Sequence, residues 1–197
     1  MERGLSAGFI SSNGTKNINE ISDVKVKIAN ALEEIKHVKT EIKSGEKIAS
    51  FLSELSQKRT QINSLQISAL ESSTYYTKTI NSIINITTII PNIIDDKDSR
   101  NIVQADTHLA SMKEQLGQLR ANLNVAFTKN NFVENDYFNF AVSFGAFNIN
   151  KNKFLVIAPE NVTTSFKNSF KGEAVDKTFS MIEVAKAKAM EGNFGID

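Results

Sequence analysis

Cysteine and tryptophan are absent from the 197-residue sequence, which also holds only two prolines. Without cysteine the chain can form no disulfide, bind no metal through thiolates and use no thiol nucleophile. The sequence also lacks an apolar run of the roughly 18 residues that a transmembrane helix needs, and its N-terminus lacks the apolar core of a signal peptide. We expect synthesis in the cytoplasm without a signal peptide, with the final location open between a particle and export by a signal-peptide-independent route.

An excess of one charge is missing too. Lysine and arginine number 23 against 22 acidic residues, so the formal net charge is +1. Nucleic-acid binders usually carry a basic excess or a basic face, so we expect no nucleic-acid partner. Phosphate-binding loops and a Ser-centred G-x-S-x-G turn are also absent. These absences predict that the protein is not an enzyme and has no catalytic residues and no cofactor.

What the sequence does contain is helical periodicity. Apolar residues repeat at the a and d positions of heptads, which indicates helices that bury a narrow stripe against other helices. A first stripe holds Ile21, Val24, Ile28, Ala31, Ile35, Val38 and Ile42. A second holds Ile48, Phe51, Leu55, Ile62 and Leu65, and the third holds Ile102, Ala105, Leu109, Met112, Leu116, Leu119, Leu123 and Ala126.

Composition then changes near Asn130, because ten of the 13 phenylalanines lie at or beyond Phe132. Between Phe138 and Phe144 large apolar residues alternate with small or polar ones, which is the period of a half-buried strand. We predict a β-hairpin over Tyr137–Ala158, with a bulge at Gly145, followed by two helices. The fold class is therefore mainly α: an elongated coiled-coil or helical-bundle region followed by a small α+β domain. The predicted divisions are an N-terminal arm (1–16), the helical region (17–130) and the α+β domain (131–197).

Three segments leave alternatives open. The Gly- and Ser-rich arm is expected to lie on another surface, such as a neighbouring subunit, because such segments are otherwise disordered. Ser44-Gly45 either turns the chain back as a helical hairpin, which we prefer, or marks a register slip. Ile80–Ile94 is almost free of charge, and is either a helix buried on most sides or an interface or lipid-contacting segment.

Both histidines are weak candidates for chemistry. Glu34, His37 and Glu41 share one helix face at a spacing that can hold a metal, but a solvated charged face explains them better. His108 lies beside the third stripe and is expected to be a partly buried residue between helices. We therefore predict no metal site.

These patterns favour a structural role. We predict a self-assembling subunit of a phage, virus-like or secretion-type assembly that acts through coiled-coil and strand-edge contacts, with homo-oligomerisation or other assembly subunits as partners. One alternative is a helical pore-forming or membrane-inserting protein that uses Ile80–Ile94, with membrane contact as a second choice. Another is a helical adaptor or chaperone. The candidate interface residues are Ile80, Ile83, Ile84, Ile90, Phe140, Val142, Phe144 and Val156.

Overall fold

Helices make up the architecture throughout the part of the chain that the computed structural model describes, residues 1–36, 45–133 and 135–196. The α-helices are α1 Glu2–Ser11, α2 Ile18–Lys36, α3 Gly45–Asn63, α4 Ala69–Thr87, α5 Lys97–Lys129, α6 Asp136–Ile157, α7 Glu160–Ser169 and α8 Glu173–Ala187. A short 3-10 helix, Ile90–Ile93, precedes α5. The mainly helical fold class is confirmed.

The chain divides into two compact units, residues 1–86 and 87–197. These units are defined by contacts within the chain, and the predicted domains 1–16, 17–130 and 131–197 stay a prediction. Residues 37–44 lie outside the described ranges. The predicted interruption at Ser44-Gly45 begins there, so the choice between a turn and a register slip stays open.

The first unit contains α1 to α3 and most of α4. Its apolar core forms around Leu55 and Ile62 of α3 and Tyr75 and Tyr76 of α4. Half-buried side chains complete this core: Phe9, Ile10, Leu32, Leu52 and Ile67. The start of α4 is fixed by a capping box, in which Ser68 N–H donates to Glu71 Oε2 at 2.8 Å and Glu71 N–H donates to Ser68 Oγ at 3.1 Å.

The second unit is built on α5, which is 33 residues long and packs along α6. Asp96 caps the start of α5 by accepting a hydrogen bond from Ser99 N–H at 2.7 Å, and Asn130 ends the helix in the left-handed conformation. The third heptad stripe supplies much of the core through Ala105, Met112, Leu119, Leu123 and Ala126. Its prediction is confirmed for those residues, whereas Ile102 and Leu109 are exposed.

The β-hairpin predicted for Tyr137–Ala158 is wrong, because this segment is the single helix α6. A second periodicity, seven residues long, relates Phe140, Phe147 and Phe154, and all three are fully buried in the core against α5. Their burial outweighs the weaker strand preference of the alternating residues. Residues 135–196 therefore form helices and loops without a strand, and the strand edges on which the assembly prediction rested do not exist there.

The N-terminal arm is also different from its prediction. Residues Glu2–Ser11 form α1, which lies on the chain's own first unit. The turn into α2 is tight: Gly14 N–H donates to the Phe9 carbonyl at 2.9 Å with Gly14 at a φ of 82°. A side chain at Gly8 would lie 2.5 Å from the Asn17 amide nitrogen, so glycine permits this close approach.

Candidate anion site in the first unit

Polar side chains are concentrated in the interior of the first unit where α1 meets α4. Glu2 and Ser6 lie one turn apart on α1 and are buried. Ser72, Tyr76 and Thr79 lie on one face of α4 and are buried as well. Buried polar groups need hydrogen-bond partners to offset the loss of water, so this layer requires an explanation beyond packing.

Its centre is an ion pair between Glu2 and Arg59 of α3. Arg59 Nε and a terminal guanidinium nitrogen each donate to a different carboxylate oxygen of Glu2, and both distances are 2.7 Å. The Glu2 side chain is 2% exposed and the Arg59 side chain 19% exposed. The hydrogen bonds to Glu2 raise the pKa of Arg59 although burial opposes this, so the guanidinium stays charged. The pair has the forked geometry by which arginine recognises planar oxyanions.

A second cation, Lys25 of α2, lies near this pair. Burial lowers the pKa of Lys25, the charge of Glu2 raises it, and the charge of Arg59 lowers it further. Lys25 Nζ donates to Asn63 Oδ1 at 3.0 Å. Lys25 also lines a cavity of about 350 Å³ with Phe9, Ile18, Ile21, Ser22 and Asn63. The Glu2 carboxylate therefore lies in the field of two cations, and one of them, Lys25, also lines a cavity large enough for a small anion.

Three buried hydroxyl groups belong to this polar layer. Within the described ranges, Ser6 Oγ, Ser72 Oγ and the Tyr76 hydroxyl are buried without a hydrogen-bond partner. Burial raises the pKa of Tyr76, and the negative charge of Glu2 raises it further, so the phenol is a neutral donor. A neutral hydroxyl donor and cations near one carboxylate form a setting that suits an anion with several oxygens.

Other candidate residues lie elsewhere. In the described residues no group of three or more His, Asp or Glu is placed to hold a metal ion. His37 and Glu41 lie outside the described ranges, and only the backbone of Glu34 is described. His108 is half-buried on α5 and its Nδ1 lies 3.0 Å from Asn150 Oδ1 of α6. Its predicted position between helices is confirmed, and the absence of a metal site stays a prediction.

The interface candidates are scattered over both units. Ile80, Ile84, Ile90 and Phe144 are half-buried, Ile83 is exposed, and Phe140 is in the core of the second unit. Val142 is 53% exposed and Val156 84% exposed, on the outer side of α6. Their role as an interface stays a prediction, and no helix among the described residues is long and apolar enough to cross a membrane.

A larger groove, about 700 Å³, lies in the second unit between α5 and α8. Its lining is chiefly apolar, with side chains such as Leu116, Leu123, Phe127 and Ile182, and it includes Arg120. A small inorganic anion has no apolar surface to place against such walls. The polar layer of the first unit is therefore the better site for an anion.

Sequence reasoning missed this site, although one signal for it was present. Leu55, Arg59 and Ile62 follow the spacing i, i+4, i+7 on α3, so Arg59 belongs to the buried face that the heptads define. A charged residue on such a face must be paired. Its partner Glu2 was hidden because the arm had no predicted fold.

Comparisons with known proteins complete the description. No curated protein and no solved structure matches this chain. A family model described as nitrate and nitrite sensing, NIT, matches residues 1–197. This match contradicts the predicted structural subunit of a phage or secretion assembly, together with the pore-forming and adaptor alternatives. Heptads and uncharged helices report how helices pack, and a sensory helical bundle needs them as much as an assembly subunit does. The match extends over the whole sequence, and the chain therefore belongs to the nitrate and nitrite sensing family.

Proposed function

We propose that the first unit binds nitrate or nitrite reversibly, with Arg59 as the main contact, and that this binding is a sensory and not a catalytic event. The observation that supports the proposal most strongly is the forked Arg59–Glu2 pair. It presents two parallel donors at 2.7 Å to two oxygens of one planar anion. Nitrate is planar, nitrite is bent, and each offers two oxygens on one edge as a carboxylate does. The same fork therefore fits either anion.

The surroundings of Arg59 supply what the remaining oxygens need. An inorganic oxyanion only accepts hydrogen bonds, and the buried Tyr76 hydroxyl of α4 is a donor next to Arg59 and Glu2. Lys25 adds a positive charge that is already near Glu2 and Arg59. Burial strengthens each of these contacts because the local dielectric is lower than in water.

Reversible binding explains why the site is built from donors and cations. Such groups hold an anion without changing it, and affinity follows from how many of them are in place. A sensor needs a binding equilibrium that responds to ligand concentration, and a conformational change that the ligand favours. We propose no chemical step at this site.

Isothermal titration calorimetry tests the proposal. The chain is titrated with potassium nitrate and sodium nitrite, with potassium chloride as the reference anion. Arg59→Lys keeps the charge but loses the fork, and hydrogen bonds to charged groups are worth about 1.5–3 kcal/mol. We expect nitrate and nitrite affinity to fall about 10- to 100-fold in this variant.

The matched control is Arg120→Lys, the same substitution in the apolar groove of the second unit. It should bind both anions like the unmodified chain. If Arg120→Lys lowers affinity and Arg59→Lys does not, the binding site is in the second unit and the assignment to Arg59 is wrong.

A further inference from the structure

Helix α1 is held to its unit in an unusual way, because its two buried residues are both polar. They are Glu2 and Ser6, whereas Phe9 and Ile10 are only half-buried against the core. Most helices of a domain are held by a buried apolar stripe. A helix whose fully buried contacts are polar can leave when its ion pair is exchanged, at a lower cost than one held by a buried apolar stripe.

The atoms that hold α1 are the atoms that the ligand needs. The Glu2 carboxylate occupies both donors of the Arg59 fork at 2.7 Å. We propose that Glu2 is a built-in competitor of nitrate and nitrite: the anion replaces its carboxylate on Arg59 and thereby releases the first turns of α1. This inference rests on the proposed binding at Arg59 and adds to it the conformational change that binding produces.

The exchange is balanced in charge, which makes it feasible inside a protein. Removing Glu2 alone would leave a buried guanidinium without an anion, which is strongly unfavourable. When nitrate takes the place of the carboxylate, Arg59 stays paired and Glu2 moves into water. The anion and docked α1 thus exclude each other. The apparent dissociation constant is the intrinsic one divided by the fraction of molecules in which Glu2 has left.

The two ends of α1 are fastened differently, and this gives the movement a direction. Near its start, Arg3 donates to Thr77 Oγ1 of α4 at 2.9 Å, beside the Glu2–Arg59 pair. In the middle of the helix, the Asn17 side chain donates to the Leu5 carbonyl at 3.1 Å, and Gly8 packs against the same side chain. Exchange at Arg59 therefore loosens the start of α1, where only polar contacts such as the Arg3–Thr77 bond remain, while the turn into α2 holds the other end. The released helix pivots on that turn, and α2 is the element that receives the movement.

The first test is a calorimetric titration of Glu2→Gln with potassium nitrate. Glutamine has nearly the same shape but carries no charge, and only its amide oxygen can accept from Arg59, so it competes for the fork less well by about tenfold in an equilibrium constant. We expect nitrate to bind Glu2→Gln about tenfold more tightly than the unmodified chain. The matched control is Glu20→Gln, the same change at an exposed acid in the first turn of α2, which should leave affinity unchanged.

A second variant keeps the Glu2–Arg59 pair intact. Thr77→Val removes the acceptor of Arg3 on α4 and so weakens the docking of α1 without changing either residue of the exchanged pair. We expect a smaller gain in nitrate affinity, about threefold, because Arg3 makes further interactions. This variant carries the test if Glu2→Gln fails to fold.

Amide hydrogen exchange in the unmodified chain then measures the release of α1 directly. Competition predicts that saturating nitrate speeds the exchange of the α1 amides, whereas simple binding beside a docked helix would slow it. Tighter binding by Glu2→Gln together with faster α1 exchange supports the inference. Weaker binding by Glu2→Gln, or slower α1 exchange with nitrate, overturns it and leaves binding at Arg59 intact. If no variant binds nitrate, the proposed function fails as well.

Discussion

The buried Glu2–Arg59 pair should be strongly coupled in folding, whereas an exposed pair in the same chain should not. The comparison pair is Lys186–Glu183 on α8, whose side chains are 42% and 62% exposed at 2.9 Å. Removing one partner of a buried pair lowers the free energy of unfolding by about 3–5 kcal/mol, because the remaining charge is unpaired in a medium of low dielectric. Exposed pairs contribute about 0–1 kcal/mol.

These magnitudes define a double-mutant cycle. We expect Arg59→Ala to lower the free energy of unfolding by about 3 kcal/mol, at the low end because α1 can leave and return the Glu2 carboxylate to water. Glu2→Gln should cost about 1–3 kcal/mol. The double variant should cost less than the sum, with a coupling energy of at least about 1.5 kcal/mol. The equivalent cycle at Glu183 and Lys186 should give less than about 0.5 kcal/mol.

Tyrosine fluorescence during urea unfolding is a suitable assay for the first unit. The chain has three tyrosines and no tryptophan, and two of them, Tyr75 and Tyr76, lie in the core beside the pair. Far-UV circular dichroism on the same samples shows whether the helices of both units are retained. A coupling energy at Glu2–Arg59 no larger than that of the exposed pair would refute the reasoning, since the pair would then be solvated.

Three further predictions concern the core, the tyrosine and the outer side of α6. Phe147→Ala should lower the free energy of unfolding by about 3–5 kcal/mol, whereas Val156→Ala should change it by less than about 0.5 kcal/mol. Equal urea midpoints for the two variants would contradict the packing of α6. Burial raises the pKa of Tyr76. The neutral phenol therefore stabilises the folded state fully below about pH 10, and this contribution is lost as pH rises above that value. Tyr76→Phe should flatten this alkaline fall in the urea midpoint, and an unchanged fall would show that another group causes it. If Val142 and Val156 form a contact between copies of the chain, Val142→Lys should convert an oligomer to a monomer in light scattering, and a monomeric unmodified chain would end that hypothesis.

The core of α5 was predictable from sequence because its signal was local and unopposed. Ala105, Met112, Leu119 and Ala126 repeat every seven residues, and all four are buried. The segment that became α6 carries two periodicities at once, and local sequence does not decide between them. The choice depends on the apolar surface of α5, which is a long-range partner.

The sequence indicated only one residue of the Glu2–Arg59 pair. The position of Arg59 between Leu55 and Ile62 indicates a buried cation, and a buried cation indicates an anionic partner. Which acid serves as partner depends on how α1 folds back over the turn at Gly14. No apolar repeat marks that turn in the sequence, so the arm was predicted to lie on another surface, such as a neighbouring subunit. Periodicity alone also carried no information about the ligand.

The most direct test of nitrate binding observes the Arg59 side chain itself. The chain has only four arginines, Arg3, Arg59, Arg100 and Arg120, so arginine labelled with the heavy nitrogen isotope gives a simple spectrum of side-chain Nε–H groups. The Arg59 resonance is assigned by its loss in Arg59→Lys. We expect potassium nitrate to shift the Arg59 resonance saturably, whereas potassium chloride should not. The resonances of the other three arginines should change only with ionic strength. An Arg59 resonance that responds to nitrate no more than that of Arg120 would contradict the assignment of nitrate sensing to this site.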